Sequence, residues 1–144
     1  LSLEGDWRFY WKQLAGPLET ATLNPSYFHF PSVWNGQQAG NNPLSGQGYA
    51  TYSATVVLSH APPVLSLELP DFYTSYQLWV NGKPVASKGE VGTTRKNSTP
   101  QWLPQTIVFP CANDTVELHL QVSNFYHRKG GSNDHIYLGL PDQM

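Results

Sequence analysis

The sequence predicts an all-β domain, and three observations carry that prediction. Apolar residues recur at every second position in several separate runs. No window of about eleven residues or more carries an apolar stripe at helical spacing. Twelve glycines and twelve prolines in 144 residues cut the chain into short pieces. Alternation at period two places one side-chain set on each face of a strand. Eight or nine short strands between turn residues point to a sandwich or a barrel.

Taken in order, Trp7, Phe9 and Trp11 alternate with Arg8 and Tyr10. Tyr52, Ala54, Val56 and Leu58 alternate with Ser53, Thr55 and Val57, and Leu65, Leu67 and Leu69 with Ser66 and Glu68. Tyr76, Leu78 and Val80 alternate with Gln77 and Trp79, and Ile107 and Phe109 flank Val108. The cleanest run is Val116, Leu118, Leu120 and Val122, expected inward, with Glu117, His119 and Gln121 expected outward and solvated. Trp7, Trp11 and Trp79 are expected in the core. Asn81-Gly82 lies between Val80 and Val85-Ala86. Both residues tolerate positive φ, so the pair predicts a type I′ hairpin. Residues 16–24 hold one helical turn at most.

Two long irregular segments interrupt the strands: residues 31–48 (PSVWNGQQAGNNPLSGQG) and 87–104 (SKGEVGTTRKNSTPQWLP). Each carries a Trp, Trp34 or Trp102, and both are read as ordered. Loops this long in a compact domain are usually functional or disordered, and the tryptophans favour order. Nothing repeats internally, and residues 1–144 read as one domain.

Composition excludes several classes. Eight Lys/Arg against ten Asp/Glu give a net charge of −2, which argues against a non-specific nucleic-acid binder, since such proteins need a basic face to displace counterions. Aromatic residues at 13% are too abundant for a disordered chain. A single cysteine, Cys111, makes no internal disulfide and no Cys-rich zinc site. No apolar run approaches the roughly 20 residues that span a bilayer, and no signal-peptide pattern is present.

Five motifs in series span nearly the whole chain: Leu3-Glu4-Gly5-Asp6-Trp7 with Phe9; Pro31 followed by Trp34-Asn35-Gly36; Gly48-Tyr49-Ala50-Thr51-Tyr52; Leu78-Trp79-Val80-Asn81-Gly82; and Gln121-Val122-Ser123-Asn124. Their order resembles the jelly-roll sandwich that precedes the catalytic barrel of β-galactosidases and β-glucuronidases. With Asn124-Phe125-Tyr126-His127-Arg128-Lys129-Gly130-Gly131 and Arg95 added, the chain is more similar to the extracellular sensor domain of bacterial seven-transmembrane receptors with diverse intracellular signalling modules. The resemblance implies an all-β jelly-roll sandwich of the galactose-binding-domain-like type. It further implies an extracytoplasmic sensor, periplasmic or extracellular, that recognises a carbohydrate or small carboxylate. Such a sensor has its own membrane-spanning region, a histidine kinase or nucleotide cyclase output and a homodimer as one expected assembly; this chain would be its fragment. The alternative implied is an accessory carbohydrate-binding module of a glycoside hydrolase.

Catalysis by this domain is not expected. Glycoside hydrolysis needs two carboxylates at a fixed separation, and the ten acidic residues are scattered, with Glu68 and Glu117 at outward strand positions. No G-x-S-x-G elbow is present. The five histidines show no metal-ligand spacing, and no cofactor is expected. A structural calcium ion on Asp71, Asn113, Asp114 or Asp134 stays open. The best constellation is aromatic and polar, because rings cover the C–H faces of a sugar while Asn, Arg and His satisfy its hydroxyls. The ligand-binding candidates are Trp34, Asn35, Tyr49, Tyr73, Tyr76, Arg95, Asn124, Tyr126, His127 and Arg128, with Trp102 beside them. Arg95, Lys96, Arg128 and Lys129 would form a patch for an anionic group if their loops meet. Simpler roles stand beside these: Trp34 as a staple of the sandwich, Asn124 as a partner of loop backbone and Arg128 as a partner of Asp134.

Overall fold

The computed structural model describes residues 1–20, 22–35, 38–39, 42–60, 62–70, 75–94, 105–111, 114–125, 130–132 and 135–140. Its elements follow the chain as β1 (Gly5–Trp11), α1 (Pro17–Thr20), β2 (Ser26–Phe30), β3 (Ser32–Val33), β4 (Gln38–Ala39), β5 (Asn42–Pro43) and β6 (Gly48–Val57). They continue as β7 (Val64–Leu69), β8 (Ser75–Val80), β9 (Lys83–Lys88), β10 (Gln105–Pro110), β11 (Thr115–Asn124), β12 (Gly131–Ser132) and β13 (Tyr137–Gly139).

Six strands form one antiparallel sheet in the order β2-β1-β6-β11-β8-β9. Three form a second, β10-β7-β13, and two short ribbons pair β12 with β3 and β4 with β5. The result is the expected jelly-roll β-sandwich. Its longest ladder pairs β6 with β11 from Val57↔Thr115 to Gly48↔Asn124. The β8–β9 hairpin turns at Asn81 and Gly82, whose φ values of 50° and 82° are those of the expected type I′ turn.

The core lies between the sheets. Trp7, Phe9, Phe28, Phe30, Tyr52, Leu118, Leu120 and Leu78 from the large sheet meet Leu65, Leu67, Leu69, Phe109 and Leu138 from the small one. Phe9 stacks on Phe28 at 4.6 Å, and Tyr52 presents its edge to four neighbouring rings. Burying one such side chain stabilises the fold by about 1.5–3 kcal/mol.

The outer face of the large sheet departs from expectation. His119 and Gln121, expected to face solvent, are buried at 5% and 8% exposure, while Glu117 is exposed as expected. Residues 12–20 fold back over this face. Thr51 Oγ1 accepts from Ala15 N and donates to Gln13 O, Gln121 Nε2 donates to Ala15 O, and His119 Nε2 meets Thr20 Oγ1. Alternation reveals that a strand has two faces, but not what covers the second. Trp79, expected in the core, lies on this outer face half-buried, and Trp11 packs half-buried at the core's edge.

Candidate functional site

Two regions concentrate polar and aromatic side chains. The first is the rim where β11 ends. Ser123 Oγ accepts from Gly92 N and donates to Gly92 O, both at 2.8 Å, which ties the segment after β9 to this end of the sheet. Asn124 Nδ2 donates to Gly46 O at 2.7 Å and holds the segment entering β6. Trp34 N donates to Gly130 O, and Gly130 N donates to Asn35 Oδ1. Gly130 lies so close to Trp34 and to Gly46 O that an added Cβ would overlap both. The Trp34 indole meets Trp11 edge-on at 5.0 Å and donates from Nε1 to the Tyr52 hydroxyl at 2.6 Å. Burial pushes the pKa of Tyr52 up, and the phenol stays neutral.

Gly92, Gly46 and Gly130, each from a different loop, are thus anchored at one rim. The candidate residues divide, however. Trp34, Tyr76 and Asn124 are buried at 0–1% exposure and act as internal pins; Asn35 is exposed, and Tyr49 is half-buried with its ring 6.4 Å from Phe125. Tyr73, Arg95, Trp102, Tyr126, His127 and Arg128 lie outside the described residues, as do Lys96, Lys129, Asp71, Asn113 and Asp134. Asp114 is exposed beside Thr115 Oγ1. Among the described residues, no three His, Cys, Asp or Glu side chains are arranged to hold a metal ion.

The second region is the outer face of the large sheet. Strand register lines up Tyr27, Arg8, Ser53, His119 and Trp79 as one row across β2, β1, β6, β11 and β8. Above the first part of that row lies an open trough of about 500 Å³, walled by Glu4, Asp6, Arg8, Tyr27, Ser53 and Thr55 among others. Arg8 is half-buried; its Nε donates to Ser53 Oγ at 2.8 Å and its Nη2 to Thr55 Oγ1 at 3.1 Å. No carboxylate among the described residues lies within ion-pair distance of it. Glu4 instead sits 3.6 Å from both His29 and His135, and Asp6 3.7 Å from His29. Tyr27 is 70% exposed. A smaller hollow of about 200 Å³ shares Arg8 and Ser53 with the trough and reaches Tyr10, Thr20, Glu117 and His119. Burial holds the His119 imidazole below its ordinary pKa; Glu117 opposes this shift and Arg8 adds to it.

Sequence reasoning missed Arg8, Tyr27, Ser53 and His119 as neighbours. They come from four strands, and only strand order and register bring them together. A forked cation, hydroxyls, carboxylates and an exposed ring are the groups that bind a polyhydroxylated ligand.

No family model matches the chain, and no curated protein sequence matches it. Solved structures do. A GH2 β-galacturonidase from Eisenbergiella tayi, bound to galacturonate, superposes with a TM-score of 0.67 at 17% identity, over 97% of this chain and 24% of that one. A β-glucuronidase from Ruminococcus gnavus gives 0.64 at 13% identity, over 96% and 28%. A putative β-galactosidase from Bacteroides fragilis gives 0.63 at 14% identity, over 96% and 22%. The chain therefore spans about a quarter of the length of these solved chains. At such identities the likeness is one of fold: a galactose-binding-like β-sandwich of the type found in these sugar-cleaving enzymes.

Proposed function

We propose that this domain is a non-catalytic carbohydrate-recognition module of a longer protein, reading a neutral sugar in the trough beside Arg8. The observation that carries this reading is Arg8 itself, a half-buried guanidinium held by two hydroxyls, without an acidic partner among the described residues, next to the exposed Tyr27. Tyr27 offers a face for sugar C–H groups, Arg8 donates to hydroxyl oxygens, and Glu4 and Asp6 accept from hydroxyl protons. Three carboxylates, Glu4, Asp6 and Glu117, border the two hollows against one arginine, and this balance favours a neutral ligand over an anionic one.

The fold likeness supports placing the module beside a glycoside-hydrolase catalytic domain. Glu68 and Glu117 project from different sheets of the sandwich, an arrangement unsuited to paired carboxylate chemistry. A second reading, an extracytoplasmic sensor of a bacterial receptor, rests on residues 124–131, where Asn124 and Gly130 are the rim's anchors. The two readings share the sugar trough and differ in the neighbouring domain.

Thermal-shift and calorimetric titration with neutral mono- and oligosaccharides tests the shared part. A sugar at about 100 times its dissociation constant stabilises the fold by about 2.7 kcal/mol. Arg8→Ala and Tyr27→Ala should each abolish that gain, measured against each variant's own unliganded midpoint, which Arg8→Ala lowers by the loss of its bonds to Ser53 and Thr55. A sugar that stabilises both variants as much as the parent would place recognition elsewhere; no response to any sugar would end the reading.

A further inference from the structure

The pairing of β1 with β6 stops at Arg8↔Ser53, although both strands run on, β1 back to Gly5 and β6 forward to Val57. Each keeps its other neighbour: Gly5, Asp6 and Trp7 stay paired with β2, and residues 54–57 stay paired with β11. The large sheet is therefore split, with the apex of the split at Arg8 and Ser53. The cause lies upstream. Leu1 and Leu3 are bonded to Leu138 and Ile136 at β13 of the small sheet. The chain entering β1 thus arrives from the opposite layer and meets β6 only at Arg8.

The trough lies in this split: Gly5, Asp6 and Trp7 line one side of it and residues 54–57 the other. Two bonds just past the strand ends show which backbone groups look into it. Lys12 N donates to Tyr49 O on the β1 side of β6, and Leu58 N donates to Asp114 O on the β11 side. Successive residues of an antiparallel strand turn their N–H and C=O groups to alternate sides. Ser53, Thr55 and Val57 therefore face β1, while Ala54 and Val56 face β11. The rungs that would engage Thr55 with Asp6 and Val57 with Glu4 are not made. Thr55 and Val57 thus present N–H and C=O groups to the trough as an open sheet edge does, and Val57 is 74% exposed.

We propose that the split makes the trough a site for a linear oligosaccharide, laid lengthwise between β1 and β6, whose hydroxyls bond the open backbone groups of Thr55 and Val57. The inference rests on the trough being the sugar site, and it adds the ligand's form. From Ser53 to Val57 the split runs about 13 Å at the rise of a strand, longer than one sugar ring. Arg8 and Tyr27 hold one unit at the apex, and the following units lie toward Val57. A hydroxyl both donates and accepts, so neighbouring hydroxyls match an N–H and a C=O set side by side. An added peptide strand uses the same groups, but the split gives it only two residues to pair with before the ladder closes at Arg8. Strands are usually longer than that, and the balance favours the sugar chain.

The test titrates cello-, xylo-, manno- and β-1,4-galacto-oligosaccharides of one to four units into the parent, Val57→Pro and Val57→Ala, and follows amide exchange in the parent by NMR. Proline at this position deletes an N–H that no strand uses, which is where a sheet tolerates it. Alanine keeps the N–H. In the unliganded parent, the amides of Thr55 and Val57 should exchange faster than those of Ala54 and Val56, which bond to β11. Affinity should rise as the second and third units are added. Val57→Pro should lose on the order of tenfold for the trisaccharide, as for one hydrogen bond, and nothing for the monosaccharide, whose retained binding shows that the variant is folded. Val57→Ala should bind both as the parent does. Bound trisaccharide should slow exchange at Thr55 and Val57, and this readout decides the matter if Val57→Pro fails to fold. If monosaccharides bind with full dependence on Arg8 and Tyr27 while longer chains bind no tighter and leave these two amides unchanged, the oligosaccharide inference is overturned and the trough stands. Slow exchange at Thr55 and Val57 in the free protein would close the split and overturn it equally. A short peptide of alternating threonine and valine that protects these amides when no oligosaccharide does would give the open edge to strand addition instead. If no sugar binds the parent, the trough and the lengthwise site fall together.

Discussion

At the rim, Trp34 Nε1, Asn124 Nδ2, Asn35 Oδ1 and Ser123 Oγ each have a partner inside the protein. On the outer face, Arg8 has hydrogens beyond those given to Ser53 and Thr55, and His119 Nδ1 has no partner. Both regions are rich in aromatic and polar residues, and composition alone does not separate them. Their hydrogen-bond states do. Where the groups satisfy one another, they fix loops to a scaffold; where capacity is left over in a hollow, an outside molecule can complete it. The rim residues that looked most like a binding site in the sequence include the ones the fold uses to close itself.

Three measurements sharpen or break this contrast. The largest effect is expected at Gly130. Gly130→Ala forces a methyl group into Gly46 O and the Trp34 ring, and should destabilise by about 3 kcal/mol or more, since neither backbone nor a packed indole yields readily. A denaturation midpoint close to the parent's would mean that the rim is looser than a scaffold should be. Next comes Trp34→Phe, which deletes the donor to the buried Tyr52 hydroxyl and part of a packed ring. A loss of about 2 kcal/mol in chemical denaturation is expected, with sugar binding at the trough unchanged. Loss of sugar binding at full stability would move recognition back to the rim. The smallest effect concerns pH. The folded state holds His119 below the ordinary 6.5, so the unfolded chain takes up the proton first. Stability from this group is complete above about pH 6.5 and declines as the pH falls toward its folded value. Melting curves across that range should show the decline in the parent and its reduction in His119→Leu.

Much of the fold was legible in the residues. Alternation located β1, β6, β7, β8, β10 and β11, because a strand buried on one side must repeat every second residue. Asn81-Gly82 announced its turn because few other pairs accept positive φ twice. β2 went unmarked: Ser26–Phe30 has only two buried residues, Phe28 and Phe30. The covered face of β11 was misread because its cover, residues 12–20, lies about 100 positions away in the chain. The trough was invisible for a related reason. Arg8, Tyr27, Ser53 and His119 become neighbours only through the strand order β2-β1-β6-β11, and nothing local in the sequence encodes that order. The rim anchors were easier to find, since Trp34, Asn124 and Gly130 stand out by type, although type alone did not separate a pin from a ligand contact.

The first residues of the chain run beside β13: Leu1 N donates to Leu138 O, Leu138 N to Leu1 O and Leu3 N to Ile136 O, with Ser2 bridged to Tyr137. Tension applied across residues 1 and 140 would open this seam one bond after another, like a zip fastener, instead of loading all its bonds at once. The molecule should therefore begin to give way at low force and by peeling, with Tyr137 and Leu138 the next positions to part from the small sheet.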